Sequence, residues 1–183
     1  MLRATLSATT KDLQEIIDLQ EANLLDNLPA GESESQGFVT LHHDMETLEQ
    51  MHEQAPHVII KEKNKVVGYA LTMVPECRWL IPELEPMFVL IDSLKWKQEP
   101  ISELGFYVMG QICIEATWRG KGLFDLLYKH HKKVFSSRFP LLITEVSTSN
   151  PRSLRAHERV GFKPIHTHRD NLDEWRVIGW DWR

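Results

Sequence analysis

At 183 residues with 42% hydrophobic content, the chain has the size of one globular domain with a substantial core, and no run reaches the eighteen or so apolar residues of a membrane helix. A formal net charge of -5 argues against the broad phosphate neutralisation of a general nucleic-acid binder. The opening MLRATLSATTKDLQEI lacks the apolar stretch and cleavage site of a signal peptide, and Cys77 and Cys113 supply neither a disulfide framework nor zinc spacing, so a cytoplasmic protein with no membrane or nucleic-acid partner is expected.

In chain order, Leu2–Leu6 reads as a short strand. Thr9 with Asp12 three residues later has the form of an N-cap, and Leu13, Ile16, Ile17, Gln20 and Leu24 set a helical stripe over about 11–26. LPAGESESQGF, 28–38, is a polar loop with Pro29, Gly31 and Gly37. A second helix is expected over about 44–54, with Met45, Leu48 and Met51 on one side. HVIIKEKNKVVGYALTM, 57–73, places two β-branched runs around a polar turn and predicts a hairpin. Met87, Leu90, Ile91 and Leu94 follow helical spacing just after Pro86, whose fixed φ suits a first turn.

Phe106 to Ile114 is an apolar strand whose Gly110 signals a bulge or a close backbone approach. A helix through about 135 follows, with Leu123, Leu126, Leu127, His130 and Val134 on one face. Then come the strand LLITEV, the loop STSN and the helix PRSLRAHERV, which Asn150-Pro151 opens and Gly161-Phe162 closes. FKPIHTH and EWRVIGWDW are the last strands. The whole, 1–183, reads as a single mixed α/β unit with hairpins at both ends.

Charge is unevenly spread along this chain. Residues 1–62 hold twelve acidic side chains against Arg3, Lys11 and Lys61, whereas 119–133 hold Arg119, Lys121, Lys129, Lys132 and Lys133 against Asp125 alone. That basic segment coincides with a strand-to-helix loop carrying Gly120 and Gly122. It is not a Walker loop, because Gly120-Lys121 is followed by Gly122 and Leu123, and the dinucleotide pattern fails at Asp125, where it needs a glycine. What remains is a run of N–H groups at a helix N-terminus with the dipole behind it, a setting for phosphate or pyrophosphate.

ICIEATWRGKGLF and ITEVSTSNPRSLRAHERVGF, in this order and spacing, resemble the GNAT superfamily of acyl-CoA-dependent N-acyltransferases over about residues 106–162. The resemblance implies an α/β (α+β) fold: a mixed, mainly antiparallel seven-stranded sheet with splayed central strands and flanking helices, and the pantetheine arm of acyl-CoA in the gap. By position it implies that Arg119, Gly120, Lys121, Gly122, Leu123, Phe124 and Asp125 form the pyrophosphate loop. Ile112, Cys113 and Ile114 would pair with the acyl-pantetheine like an added strand, and Asn150 would reach the same arm. A backbone N–H near Cys113 would polarise the thioester carbonyl.

Two side chains are implied as catalytic. Glu145 stands where members similar to ribosomal-protein N-terminal acetyltransferases keep a general base; the plainer reading is a glutamate solvated at a strand end. His157 stands where the family often has a tyrosine acid, and an imidazole titrating near about 6.5 suits the protonation of a thiolate; the alternative is a packed helix residue. Phe124 departs from the family pattern by replacing the last small residue of the loop.

The implied function is an N-acetyltransferase moving the acetyl group of acetyl-CoA to a primary amine, of a small molecule or a peptide, by direct nucleophilic attack. Its rivals are a non-catalytic acyl-CoA binding or sensing domain and a transferase for a longer acyl chain, whose acyl end Met109 and Met87 would line. The acidic N-terminal part favours a cationic acceptor. No metal is expected, since His42-His43, His130-His131 and the pair His166, His168 lack a carboxylate or cysteine at ligand spacing. Dimerisation through the C-terminal strands stays open.

Overall fold

The structure, a computed structural model, describes residues 2–24, 39 and 41–183. Its strands are β1 (Leu2–Leu6), β2 (Val58–Glu62), β3 (Lys65–Met73), the short pair β4 (Lys95–Trp96) and β5 (Glu99–Pro100), β6 (Phe106–Ile114), β7 (Leu141–Ser147), β8 (Lys163–Arg169) and β9 (Glu174–Asp181). The helices are α1 (Thr10–Glu21), α2 (Met45–Gln54), α3 (Glu85–Ser93), α4 (Ile101–Leu104), α5 (Leu123–Phe135) and α6 (Pro151–Val160). Seven strands form one sheet in the order β1-β2-β3-β6-β7-β9-β8, antiparallel throughout except for the β6/β7 pair, which is parallel.

Local chemistry explains where several elements begin and bend. Thr9 Oγ1 accepts from the Asp12 N–H (3.2 Å) while Asp12 Oδ2 accepts from the Ala8 N–H (3.0 Å), a reciprocal cap at the head of α1. Asp44 caps α2 in the simpler way, accepting from the Thr47 N–H at 2.8 Å. In β6 the register slips where Ala70 faces Ile112 but Thr72 faces Met109, so Gly110 and Gln111 together oppose Leu71. Gly110 therefore marks a bulge, which locally reorients the strand beside the glycine loop.

The middle of the sheet is where the fold departs from a continuous ladder. β6 and β7 pair only from Phe106↔Leu141 to Val108↔Ile143. Beyond that point β6 continues to pair with β3 as far as Gly68↔Ile114, and β7 with β9 as far as Ser147↔Trp175, so a wedge opens between them. The Thr144 hydroxyl donates to the Met109 carbonyl (3.0 Å) at the apex of the wedge.

Helices cover both faces of the sheet. The bulge at Gly110 and Gln111 shifts the alternation of β6 by one residue, so Tyr107 lies on one face, where it meets His131 and Phe135 of α5, and Cys113 on the other, where its thiol lies 4.0 Å from the Leu19 carbonyl of α1. The buried stripe of α5 is Leu123, Leu127, Tyr128, His131 and Phe135. It is thus His131, not the expected His130, that completes the core face: packing follows the i, i+4 ridge, and Tyr107 and the Ala70 carbonyl hold the His131 ring. The three-turn stretch Pro75–Leu84 of 3₁₀ character, the β4/β5 pair and α4 have no counterpart in the sequence expectations. The polar loop expected at 28–38 and the end of the first expected helix, 25–26, lie outside the described residues.

Candidate active site

The glycines of the loop are there for their backbone conformation. Gly120 and Gly122 have φ of 74° and 80°, and a Cβ on either would meet nothing within 4 Å, so left-handed geometry rather than crowding requires glycine. Gly122 heads α5 with no side chain capping it. The Leu126 N–H closes onto the Gly122 carbonyl (3.1 Å), while the N–H groups of Leu123, Phe124 and Asp125 precede the first full helical bond and carry the positive end of the dipole.

The basic residues of the loop do something different from what their charge suggests. Arg119 turns inward: its Nε donates to the Ile114 carbonyl (3.1 Å) and its Nη2 to Asn23 Oδ1, tying the end of β6 to the end of α1. Lys121 lies over the Trp118 ring, with Nζ 4.7 Å from its centroid. Positive charge at the site comes instead from α6, where Arg152, Arg155 and Arg159 recur at helical spacing on the face that also carries Ala156. Arg159 pairs with Asp125 at 2.5 Å, bridging α6 to the first turn of α5.

These parts enclose a cavity of about 540 Å³ at the open end of the wedge. Ile112, Cys113, Ile114, Arg119, Gly120, Gly122, Leu123, Phe124, Asp125 and Asn150 all line it, whereas Lys121 does not. The sequence reading missed Asn23, Val39 and the α6 residues Arg152, Ser153, Arg155, Ala156 and Arg159. The i, i+3, i+7 spacing of the three arginines was the available signal for the last group. Asn150 is fixed by its own helix, because its carboxamide oxygen accepts from the Ser153 N–H (3.1 Å). Phe124 leans on Tyr128 and His157, with both ring centroids 5.0 Å away.

Cys113 lines the cavity but is poorly suited to act as a nucleophile. Burial pushes its thiol up to about 12, well outside the range in which a thiolate forms at neutral pH. Cys77, the other cysteine, is buried and is pushed up to about 11 for the same reason.

Glu145 and His157 are not brought together. His157 is only 1% exposed, and both ring nitrogens are engaged: Nδ1 donates to the Ser153 carbonyl (2.8 Å) and Nε2 accepts from the Tyr128 hydroxyl (2.6 Å). Burial lowers its pKa to about 4, so the ring is neutral at pH 7. Glu145 stands on β7 two residues past the last β6 pair. Leu142 is opposite both Tyr107 and Trp180 and shares their face, so Glu145, three residues on, projects from the other face, the one carrying Cys113. Its Oε1 accepts from His168 Nε2 at 2.5 Å. Burial pushes its pKa above the usual carboxylate range, with His168 working in the opposite direction.

Among the described residues no group of three or more His, Cys, Asp or Glu is placed to hold a metal ion, and no helix is long and apolar enough to cross a membrane. Among the described residues the arrangement combines an uncapped helix N-terminus, a strand edge lacking a neighbour, an arginine rim and a carboxylate on the far side of the wedge.

Residues 19–162 match the model of the acetyltransferase (GNAT) family. Among solved structures, the chain is similar to the ribosomal-protein-S18-alanine N-acetyltransferase of Escherichia coli (15% identity, TM-score 0.66, 99% of this chain and 94% of that one). It is also similar to a putative acetyltransferase of Salmonella typhimurium solved with its cofactor acetyl-CoA (12% identity, TM-score 0.64, 100% and 94%). A third likeness is to Ard1 of Thermoplasma volcanium (10% identity, TM-score 0.64, 97% of each chain). At these identities the structural likeness speaks for the fold. No curated protein sequence gives a significant match.

Proposed function

From the premise that this chain belongs to the acetyltransferase (GNAT) family, we propose that it transfers the acetyl group of acetyl-CoA to a primary amine by direct attack, without an acyl-enzyme intermediate. The observation that carries this reading is the wedge. From Met109 to Ile114 one edge of β6 has no strand beside it among the described residues, and it runs toward the uncapped start of α5. An extended amide-bearing arm fits such an edge as a strand would, and a pyrophosphate fits the N–H groups of Gly120 to Asp125.

Each residue then has a role. The edge at Ile112, Cys113 and Ile114 aligns the pantetheine, and a backbone N–H there steadies the carbonyl oxygen as it becomes an oxyanion. Asn150 holds the same arm from the rim. Arg152 and Arg155 offer charge to the outer phosphates. The amine approaches from the face of the sheet that carries Glu145, which takes its proton. The nitrogen forms the new bond to the carbonyl carbon, the C–S bond breaks, and the departing thiolate is protonated. His157 presents no exposed nitrogen for that last step. Its imidazole instead supports Phe124 and Tyr128, and the proton comes through water in the open cavity.

The similar Escherichia coli enzyme is named for an alanine of ribosomal protein S18, and the acidic N-terminal part of this chain favours a positively charged acceptor, whether small amine or basic peptide. Thermal unfolding with and without acetyl-CoA tests the first half of the proposal. At a hundred times its dissociation constant a ligand adds about 2.7 kcal/mol, a rise of roughly 5–10 °C for a domain of this size. A rise shared by free CoA but not by ATP is expected, followed by amine-dependent release of thiol from acetyl-CoA across an acceptor panel. No rise at saturation, or binding with no turnover on any amine, would overturn it, the second outcome in favour of a binding domain.

A further inference from the structure

His168 lies outside the two blocks that carry the family resemblance, yet three features of the sheet converge on it. The register of β9 with its neighbours places Glu145 opposite Val177 and Val177 opposite His166, so these side chains share a face with His168, two residues further along β8. β8 reaches that register through a bulge: Pro164 faces Ile178 but His166 faces Val177, leaving Ile165 as the extra residue. Without that one-residue slip both histidines would project to the other side of the sheet. The bulge thus aims His168 across β9 at Glu145, and its Nε2 meets Oε1 at 2.5 Å with both side chains mostly buried. The His166 ring lies nearly parallel to that of His168, 12° apart and 6.4 Å between centroids.

We propose that His168 is a positioning residue for Glu145: it fixes the carboxylate through Oε1, leaves Oε2 to receive the proton of the acceptor ammonium, and donates to the charged form of the carboxylate. This rests on the reading of Glu145 as the base. The physical need is plain, because burial disfavours the charged form of a carboxylate and a hydrogen-bond donor works in the opposite direction. Of the titratable groups that act on Glu145, His168 favours its charged form and Asp170, in the following turn, opposes it, while His166 lies beyond His168. Val177, its neighbour on β9, is apolar. His168 is therefore the group that supplies the compensation.

The test separates the pair from the reaction. With carboxyl-labelled glutamate, the Glu145 signal is followed by NMR against pH in the unmodified protein, His168→Ala and His168→Gln, without any acceptor. The expected result is a titration displaced upward by about one pH unit in His168→Ala and returned toward its original position in His168→Gln, whose amide donates as Nε2 does. An unmoved titration in His168→Ala overturns the proposal even if Glu145→Gln abolishes turnover. In the second arm, kcat is measured with the fastest amine of the acceptor panel. His168→Ala is expected to lower kcat about tenfold, leave the KM for acetyl-CoA unchanged and move the acidic limb of the pH profile upward, with His168→Gln restoring most of it. Equal losses in both variants with an unmoved limb would mean that His168 only holds the hairpin, and would overturn the proposal. If instead Glu145→Gln keeps its turnover, the base reading itself falls, whatever the titration shows.

Discussion

Gly122 shows how much one backbone angle decides. At φ 80° an L side chain is strained by roughly 1–2 kcal/mol even in open space, so Gly122→Ala is expected to lose about that much stability and to bind CoA distinctly more weakly, since the N–H groups behind it move with the turn. Gly110→Ala is the contrasting substitution, because its new methyl would make only an ordinary contact 3.7 Å from Met73. Melting temperature and calorimetric titration with CoA distinguish the two. The need for these glycines was legible in the sequence, as loop chemistry is local. The inward turn of Arg119 was not. Its partner Asn23 lies 96 residues away, and nothing in RGKG indicates that the first arginine serves the floor of the cavity while arginines of a later helix form its rim.

At the scale of elements, caps and periodicity located the helices well, and side-chain faces less well. α5 is amphipathic by either of two adjacent stripes, and only its packing on Tyr107 and Ala70 selects His131 over His130. The Glu145–His168 pair is harder still to anticipate, because it needs the registers of three strands and one bulge at Ile165. α1 offers a testable electrostatic consequence. Burial would raise the Asp12 pKa, but the Lys61 ammonium at 2.5 Å and the N–H groups of Ala8 and Thr9 together hold it below the usual range. A carboxylate lowered on folding contributes stability that is complete above its unfolded value of about 3.9 and lost as pH falls through the folded one. Asp12→Asn should therefore cost about 1–2 kcal/mol at pH 7, and its deficit relative to the unmodified protein should shrink below about pH 4; denaturant titrations across pH measure this.

The whole molecule carries a net charge of -5, yet its cavity is rimmed by Arg152, Arg155 and Arg159. An anionic ligand is thus attracted locally and repelled globally, and salt acts on both. The local attraction operates at contact distance and the repulsion over many ångströms, so the net effect of raising salt from about 0.1 to about 1 M, where the Debye length falls from about 10 to about 3 Å, depends on which dominates at the rim. With exposed arginines as the chief contacts to the outer phosphates, the Kd for CoA should rise several-fold and that for dephospho-CoA should rise less; an equal rise for both would place the 3′-phosphate away from these arginines. The general architecture was readable because strand and helix patterns alternate clearly along the chain. The wedge was expected only through family resemblance, since no periodicity announces that two strands will part after three residue pairs.

That short parallel join has a mechanical meaning. On one side stand β1, β2, β3 and β6, on the other β7, β9 and β8, and within the sheet the two halves are stitched along a seam of three residue pairs and one hydroxyl. Under tension the sheet is weakest along this line, and its compliance is concentrated at one end, where the edges are already apart. A molecule that lies along the β6 edge and bonds to both sides is a splice across the seam. Binding would then stiffen the protein where the halves of its sheet share only a short paired seam, and release of the product would return that compliance.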